Sequence, residues 1–520
     1  MSNKNKNRNR NKKKQKQKIA PHPRQKLVGA YLALMFGIFP VFCTDGFFNI
    51  RHDRYYFFLT VSAALLLFWG ITILGGDREN VIGKLGVTDW AMLGFLAVCA
   101  LSTATSIAPK DALFGTAGRN NGLILMAVYV GIYFMVSRYG KPGLVAFAAL
   151  GIISAFVSLV TILNFFSLDP LKMLEDLTNA DKKVFFSTIG NKNLLSGYLC
   201  ITLPVLTVLF VEEIPKWLRT LSLICLSPGF GALMTADSDS GLLGLGVFTV
   251  VYLIWYARHP GKLKRFFLVL TVMLLSARLL QPISFIPAFK AKTMSQLQQF
   301  FVFSTSGIWL LLGMAAVTGG LYLLDHKHSG LVLPKYVPIA LGALIGTAVL
   351  AVVVAVAYLT INRDIPLQDP WQHLRLEDTW GTNRGFMWRK TLDIFGESSI
   401  WRKLFGSGPD TFYYMFKPYF PQLTKYWTSS TNAAHNEYLN YLITVGILGA
   451  SAYCTALVSS VTCCIRKMKQ NPIGTVYCGA VICYGAQAFV SIAQPITTPL
   501  LIIFLALCAG MSNPRNVTAR

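Results

Sequence analysis

The sequence predicts an all-α polytopic membrane protein with about fourteen transmembrane helices and one long extracytoplasmic loop. Three observations predict this class: 53% of the 520 residues are hydrophobic, the mean hydropathy is +0.49, and only 14% of the residues are charged. Soluble domains carry charge on roughly a quarter of their residues. The composition therefore excludes a disordered chain and argues against an ordinary soluble enzyme.

The chain begins with a basic tail, residues 1–26, which holds eleven Lys and Arg and no acidic residue. Residues 3–18 have no apolar face, so we expect disorder, because the tail cannot bury enough surface to offset its chain entropy. No small-residue cleavage site of a secretory signal follows the tail. We expect a cytoplasmic tail that contacts anionic membrane lipids, and we favour this partner over nucleic acid.

Fourteen apolar stretches follow the tail, and a spanning helix needs about 20 mostly apolar residues. Eleven of them fall within residues 27–360 and three within residues 435–511. They lie near residues 27–43, 55–75, 88–104, 122–137, 144–166, 194–211, 217–234, 241–257, 266–281, 303–324, 337–360, 437–461, 473–492 and 495–511.

The orientation in the membrane follows from the charge of the short loops. Those predicted to face the cytoplasm hold fifteen Lys and Arg, whereas the loops near residues 236–240 and 494 hold none. Because basic loops stay inside, we expect cytoplasmic termini, including residues 512–520, in a multi-pass protein of the cytoplasmic membrane. The longest loop, residues 361–434, then faces outside.

The ten cysteines do not form a disulfide pattern, since most lie within predicted spans, where they serve as small apolar residues. The sequence contains no C-x-x-C pair, no cluster of His and Cys, and no phosphate-binding glycine motif. We therefore expect neither a metal nor a cofactor.

Residues 361–434, hereafter the long loop, form the most unusual segment of the chain. Its 74 residues include fifteen aromatic residues, among them five of the ten tryptophans, so it is too aromatic for disorder. We expect short interfacial helices, with Arg384 and Trp388 on one helix face and Asp410 capping the next helix. The aromatic residues form either a belt at headgroup depth or, with the interleaved cations and amides, a platform for sugar or lipid.

Several motifs resemble the O-antigen ligase and Wzy-type polymerase superfamily. The long loop contains Arg384-x-x-x-Trp388 and Phe405-Gly-Ser-Gly-Pro-Asp-Thr-Phe412, and Ala434-His435-Asn436-x-Tyr438-Leu439 follows with Val445-Gly-Ile-Leu-Gly449. Upstream, Ser187-Thr-Ile-Gly-Asn191-Lys-Asn193 and Gly118-Arg119-Asn120-Asn121-Gly122 are similar to two further elements of that superfamily. The resemblance implies a polytopic glycosyltransferase that uses a polyprenyl-diphosphate-linked glycan, inverts the anomeric carbon and needs no metal.

One segment departs from the superfamily pattern. Where the superfamily often has Ser-Arg followed by Gly or Ser, this chain has Asp237-Ser238-Asp239-Ser240-Gly241, with an acid in the place of the expected cation. Either another cation replaces it, from Arg119, Arg389 or Lys192, or the substrate is handled differently.

The same motifs contain the residue types that the chemistry of a lipid-linked diphosphate requires. Negative charge develops on the departing diphosphate, and the planar fork of an arginine engages phosphate oxygens with two hydrogen bonds. A neutral histidine accepts the proton of an attacking hydroxyl. We therefore expect Arg384 to bind the diphosphate and His435 to act as general base or to position the acceptor.

Six further residues are candidates for substrate binding. Asn191 and Asn193 either bind sugar or diphosphate oxygens or cap the following helix, and Asn436 either orients His435 or caps its own helix. The candidates are Arg119, Asn191, Asn193, Trp388, Arg389 and Asn436.

The sequence thus predicts a polymerase or ligase of cell-surface polysaccharide that acts on the outer face of the cytoplasmic membrane. Its acceptor is either another lipid-linked glycan or a lipid or wall anchor. The alternatives are a lipid-linked oligosaccharide flippase, a polysaccharide exporter, or a non-catalytic scaffold. Transporters usually place ionisable residues near the bilayer midplane, and the predicted spans are almost free of charge there.

Overall fold

The computed structural model of the chain describes residues 23–47, 49–75, 83–367, 371–426, 431–468 and 471–512. It is 73% helical and nearly all-α, so the predicted fold class is confirmed at this level. Most of the predicted basic tail, residues 1–22, lies outside the described residues, as do residues 513–520 and Trp427. Residues 23–26 of that tail form the first turn of a helix.

The described residues form 22 α-helices and one small hairpin. The helices are α1 Pro23–Gly37, α2 Ile50–Leu74, α3 Val87–Ala104, α4 Pro109–Phe114, α5 Leu123–Tyr139, α6 Leu144–Phe165, α7 Lys192–Val211, α8 Lys216–Thr235, α9 Asp239–Tyr256, α10 Pro260–Arg278, α11 Leu280–Ser284, α12 Gln296–Val302, α13 Thr305–Lys327, α14 Tyr336–Ile361, α15 Trp380–Glu397, α16 Ile400–Phe405, α17 Phe412–Phe416, α18 Phe420–Leu423, α19 Glu437–Thr444, α20 Gly446–Lys467, α21 Gly474–Gln487 and α22 Thr498–Gly510. Short 3₁₀ turns occupy Phe39–Val41, Asp181–Lys183, Trp371–Leu374, Lys417–Tyr419 and Ala488–Val490.

Ten segments of the described chain, against fourteen expected, are helical, long and apolar enough to cross a membrane. They are α2, α3, α6, α7, α8, α9, the continuous segment Pro260–Ser284, α13, α14 and α20. The other four predicted spans contain shorter helices, namely α1, α5, α21 and α22. Many apolar helices of this kind define a multi-pass membrane protein.

Helix α7 lies at the centre of the bundle. Every residue from 194 to 211 is buried, and α6, α8, α9, α10 and α21 surround it. By contrast, α14 has no buried residue and lies at the periphery. The N-terminal end of α7 is therefore enclosed by neighbouring helices, and the polar residues there face other helix ends.

A two-stranded antiparallel hairpin precedes α7. Strand β1 is Phe185–Phe186, strand β2 is Gly190–Asn191, and Phe185 pairs with Asn191. The buried Arg54 holds the hairpin, because its Nη2 donates to the backbone oxygens of Thr188 at 2.7 Å and Pro40 at 2.8 Å. The predicted Asn191-Lys-Asn193 motif thus sits at a fixed turn where β2 runs into α7.

The predicted span at 437–461 is wrong as one helix, because α19 ends at Thr444 and α20 begins at Gly446. Gly446 has a φ of +68°, which favours glycine, and a Cβ there would lie 2.3 Å from the backbone oxygen of Leu404. Gly406 has a φ of +80°, and its Cβ would lie 2.3 Å from the oxygen of Thr444. The two glycines let the long loop contact the helix break backbone to backbone.

The long loop has a hydrophobic core of its own. Phe386 and Met387 of α15 pack with Phe412 and Phe416 of α17, and Ile443 of α19 joins them. These side chains are buried, so the central aromatic residues of the loop form a core. The loop therefore holds α15 in a fixed position against α19.

Replacing Gly446 by alanine tests the close contact between the loop and the helix break. We expect Gly446→Ala to lower the free energy of unfolding by about 2 kcal/mol or more, since it combines a left-handed backbone with a backbone clash. Thermal unfolding of the detergent-solubilised protein measures the effect. Gly396→Ala is the matched control, because no atom lies within 4 Å of its Cβ position. Equal melting temperatures for the two variants would contradict the prediction.

Candidate active site

Arg384 lies where the regular turns of α15 begin. The three preceding residues, Gly381, Thr382 and Asn383, have φ values of 58°, 58° and 69°, so the chain turns sharply before the helix. The Nε of Arg384 is buried and has no hydrogen-bond partner in the described part of the chain. Burial lowers the pKa of Arg384, and the negative charge of Asp239 opposes that shift. Among the residues that the structure describes, Asp239 is thus the acid whose charge acts on this partly buried cation.

The neighbouring Arg389 differs from Arg384, because it is engaged in an ion pair. Its Nε and Nη2 donate to the two carboxylate oxygens of Asp378 at 2.9 and 2.8 Å, and Asp393 lies 3.9 Å away. Asp393 lies closer to Lys390, whose Nζ is 3.0 Å from its Oδ2. Neither carboxylate forms an ion pair with Arg384 among the residues that the structure describes.

Trp388 connects the helix of Arg384 to the segment of His435. Its indole Nε1 donates to the backbone oxygen of Ala434 at 3.1 Å. Its ring lies 5.2 Å from that of Trp380 and 5.3 Å from that of Phe489, measured between centroids. The predicted Arg384–Trp388 face of α15 is therefore directed at the residue before His435.

His435 is partly buried and has a φ of +50°, an uncommon backbone conformation for this residue type. Burial and, to a smaller extent, the positive charges of Arg384 and Arg119 together lower its pKa to about 3. The imidazole is therefore neutral at physiological pH and able to accept a proton. The two arginines that act on it come from distant parts of the chain.

Asn436 and Glu437 fix the helix that follows His435. The Oδ1 of Asn436 accepts a hydrogen bond from the backbone N–H of Leu439 at 3.0 Å, so Asn436 caps α19. The buried Glu437 accepts hydrogen bonds from the hydroxyls of Tyr453 at 2.5 Å and Tyr484 at 3.3 Å. These bonds tie α19 to α20 and α21.

Arg119 forms a buried ion pair with Asp410 of the long loop, with Nε 3.2 Å from Oδ1. Its Nη1 also donates to the backbone oxygen of Asn432 at 2.9 Å and to the side-chain oxygen of Asn432 at 3.1 Å. Asp410 accepts further hydrogen bonds from Thr116 and from the backbone N–H of Asn121. The prediction that Asp410 caps α17 is therefore wrong, because its oxygens bind the segment before α5.

The Arg119–Asp410 pair is costly to bury. Burial raises the pKa of Asp410 despite the nearby Arg119, and burial lowers the pKa of Arg119 despite Asp410. The free-energy cost of desolvating two buried charges commonly exceeds the attraction between them. The pair and its hydrogen bonds hold residue 432, and with it the approach to His435, at a fixed distance from α5.

The two predicted asparagines before α7 both have protein partners. The Oδ1 of Asn191 accepts from the backbone N–H of Asn193 at 2.9 Å, so Asn191 caps α7. The Oδ1 of Asn193 accepts from the hydroxyl of Ser238 at 2.9 Å. The Nε2 of Gln487 lies 3.3 Å from both the backbone oxygen of Asn193 and the hydroxyl of Ser240. These contacts join the ends of α7, α9 and α21.

The acidic segment at residues 237–239 is also engaged. Asp237 lies 3.4 Å from the Nζ of Lys192, and it accepts a hydrogen bond from the backbone N–H of Ser295 at 2.8 Å. The exposed Asp239 accepts from the Nε2 of Gln298 at 2.9 Å. Lys192 is therefore paired locally, and Asp239 is the acid whose charge acts on Arg384.

The charges of Arg384 and Arg119 both act on His435, so the structure brings these three residues together. Hydrogen bonds from Trp388 to residue 434 and within the cap formed by Asn436 hold the backbone on either side of His435. Sequence reasoning missed the roles of Asp410, Gln298 and Glu437. Glu437 could have been noticed in the sequence, because it is a charged residue at the start of an apolar stretch. Nothing in the sequence around residue 298 or residue 410 indicates which residue it binds. In the described residues, three side chains that could bind a metal ion lie close together, namely Cys464, Cys478 and Cys508.

A comparison with known families bears on this arrangement. Residues 300–454 match the family model described as O-Antigen ligase, a range that includes Arg384 and His435 and omits Arg119. The match supports the resemblance to that superfamily and indicates a glycosyltransferase-like membrane protein of polysaccharide assembly. No curated protein matches the chain.

The buried ion pair makes a prediction about stability. We expect Asp410→Asn to lower the free energy of unfolding by about 3–5 kcal/mol, because Arg119 would be left as a buried charge without a counter-ion. The matched control is Asp378→Asn, which breaks a half-exposed pair and should cost no more than about 1 kcal/mol. Thermal unfolding in detergent measures both. A smaller loss for Asp410→Asn than for Asp378→Asn would refute the assignment.

Proposed function

We propose that this protein transfers or polymerises a polyprenyl-diphosphate-linked oligosaccharide on the outer face of the cytoplasmic membrane. One observation carries the proposal: Arg384, whose buried Nε has no hydrogen-bond partner among the described residues, lies near enough to the neutral His435 to lower its pKa. Transfer from a diphosphate needs an anion-binding group and a proton acceptor in one site. The family match at residues 300–454 supports the same activity.

The reaction forms one bond and breaks one bond at the anomeric carbon of the donor. The acceptor oxygen attacks that carbon, and the carbon–oxygen bond to the diphosphate breaks with its electron pair on the departing oxygen. The proton of the acceptor hydroxyl goes to His435. The products are the new glycosidic bond and the free polyprenyl diphosphate, so the lipid-linked sugar needs no nucleotide in the site.

Arg384 serves as the diphosphate-binding residue in this scheme, because no carboxylate of the described ranges forms an ion pair with it. Arg119 carries the same charge, but its guanidinium is engaged by Asp410 and Asn432. Arg389 is similarly engaged by Asp378. A cation that is held in place and not compensated stabilises the leaving group without reorganising as the charge develops. Arg119 acts at longer range, through its effect on His435.

Binding of the diphosphate should strengthen His435 as a base. In the free protein, burial and two arginine charges hold the pKa of His435 near 3, which makes it a weak proton acceptor. A bound diphosphate places negative charge beside Arg384 and opposes the field that these arginines exert. The pKa of His435 then rises toward the range of an effective base. Proton transfer is thereby coupled to the presence of the donor.

Asp239 favours a division of the site into two regions. Because a carboxylate repels a diphosphate, the donor should bind with its diphosphate on the side of Arg384 remote from Asp239. The exposed Asp239, held by Gln298, then faces the sugar, where its oxygens can accept hydrogen bonds from hydroxyl groups. An acid at this position is thus compatible with glycan transfer.

A transporter is the alternative class of protein that the sequence leaves open, but the composition of the buried central helix α7 argues against it. The central helix carries no Asp, Glu, Lys or Arg between residues 193 and 211. Charged pairs such as Arg119–Asp410 and Lys192–Asp237 lie at helix ends and in loops. A transporter would usually place such groups near the bilayer midplane.

Removing either central side chain tests the proposal. We expect Arg384→Ala to lower turnover of a polyprenyl-diphosphate-linked glycan by about 10²–10³-fold, through loss of leaving-group stabilisation. We expect His435→Ala to lower it by about 10²–10⁴-fold, through loss of the proton acceptor. The assay measures release of polyprenyl diphosphate by the purified protein in detergent, together with polymer formation in cells.

The control variant is Arg402→Ala, which removes an exposed cation from the same loop. It should retain wild-type turnover. If Arg384→Ala and His435→Ala are inserted normally and keep full activity, the assigned site is wrong. Long chains on the carrier lipid would identify a polymerase, and one block moved to a new anchor would identify a ligase.

The pH dependence offers a separate test. Since the pKa of His435 lies near 3 in the protein without bound donor, kcat/KM should show no loss from histidine protonation between pH 7 and pH 5. Bound diphosphate raises this pKa, so the acid limb of kcat should lie at higher pH than that of kcat/KM. Arg384→Ala removes a positive charge and should move the acid limb of kcat/KM upward. An acid limb near pH 6.5 for wild-type kcat/KM would contradict the prediction.

A further inference from the structure

Three cysteines meet at the end of the C-terminal helices that is remote from His435. Cys464 is on α20, Cys478 on α21 and Cys508 on α22, and we call these three residues the cysteine cluster. Their Sγ atoms all lie within 4.8 Å of one another, and each side chain is at most 1% exposed. Cys464 lies eighteen residues after Gly446, which is roughly 27 Å along α20 at 1.5 Å per residue. The cluster is therefore separate from the candidate active site.

We propose that the cysteine cluster binds one soft monovalent metal ion of the Cu(I) class. The sulfur spacing fits this role, because the Sγ atoms of Cys478 and Cys508 are 3.9 Å apart. A metal about 2.3 Å from each of three sulfurs in a plane requires sulfur–sulfur distances of about 4.0 Å. The third sulfur reaches this spacing by a small rotation, since no pair exceeds 4.8 Å.

Gly474 packs closely against the cluster. A Cβ on Gly474 would lie 2.7 Å from the Sγ of Cys464, which is closer than van der Waals contact allows. An alanine at this position would therefore displace the Sγ of Cys464 without removing any sulfur.

The donor set distinguishes Cu(I) from the commoner zinc ion. Zinc sites are usually tetrahedral, with nitrogen, oxygen or thiolate as the fourth ligand. The cluster offers three sulfur ligands in the part of the chain that the structure describes, and soft thiolates suit Cu(I). Each cysteine that binds the ion loses its thiol proton, which leaves to solvent.

The metal would join the three helices that carry the C-terminal half of the site. Helix α20 follows His435 through α19, α21 ends at Gln487, and the segment between α21 and α22 supplies the backbone oxygen of Ala493 to Asn121 at 2.7 Å. A clamp at the far ends of these helices restricts their relative movement. Metal binding should therefore raise the melting temperature.

Metal titration of the full-length protein tests the proposal. The reduced protein in detergent is titrated with Cu(I) in the presence of a competing Cu(I) chelator, and bound metal is measured by elemental analysis. We expect one equivalent per chain, and a loss of affinity of at least tenfold in Cys478→Ser, Cys508→Ser and Gly474→Ala. The control Cys225→Ser should bind as the wild type does, because Cys225 lies on α8 outside the cluster.

Each possible result decides for or against the proposal. Sub-stoichiometric binding by wild type, or unchanged affinity in Cys478→Ser and Gly474→Ala, would overturn it. Tighter binding of Zn(II) than of Cu(I) at these sulfurs would overturn the assignment to a monovalent ion. Fewer than ten free thiols after denaturation without reductant would show that a disulfide occupies the cluster instead. X-ray absorption with three sulfur neighbours, in variants that elute normally on gel filtration, would support it.

Discussion

The buried ion pair between Arg119 and Asp410 is the interaction on which the rest of the site depends. It joins the segment before α5 to the long loop, and the same guanidinium binds Asn432, three residues before His435. Burial disfavours the charged form of both partners, so the pair persists only because further hydrogen bonds from Thr116 and Asn121 satisfy the carboxylate. This pair is thereby one of the polar contacts that join the N-terminal and C-terminal halves of the bundle.

The pair also explains why two arginines near one histidine have different roles. Asp410 forms a buried ion pair with Arg119, whereas Asp239 is the acid whose charge acts on Arg384 in the described part of the chain. Asp378 pairs with Arg389, and Asp393 lies closer to Lys390 than to Arg389. Arg384 is therefore the arginine that we propose for the anionic ligand. Burial, reinforced by the charges of Arg384 and Arg119, lowers the pKa of His435 and keeps its imidazole neutral.

The long loop holds this arrangement because it folds as a packed unit. Phe386 and Phe416 are buried in its core, and Trp388 donates to the backbone of Ala434. At Gly406 and Gly446 the loop meets the break between α19 and α20 with no side chain in between. A loop fixed by a core, an indole hydrogen bond and a backbone contact can hold a cation and a base at a constant separation.

The sequence by itself determined the helical membrane class, because hydropathy is a local property, and its short motifs led to the proposal of Arg384 and His435 as the central pair. For Asn191 and for Asn436 the sequence left two roles open, one of which was helix capping, and both residues cap their helices in the structure. Only the tertiary structure decided that Asp410 pairs with Arg119, that 437–461 is broken, and that Cys464, Cys478 and Cys508 meet. These depend on which helix ends become neighbours, and burial, charge compensation and close backbone contact arise only once the chain has folded.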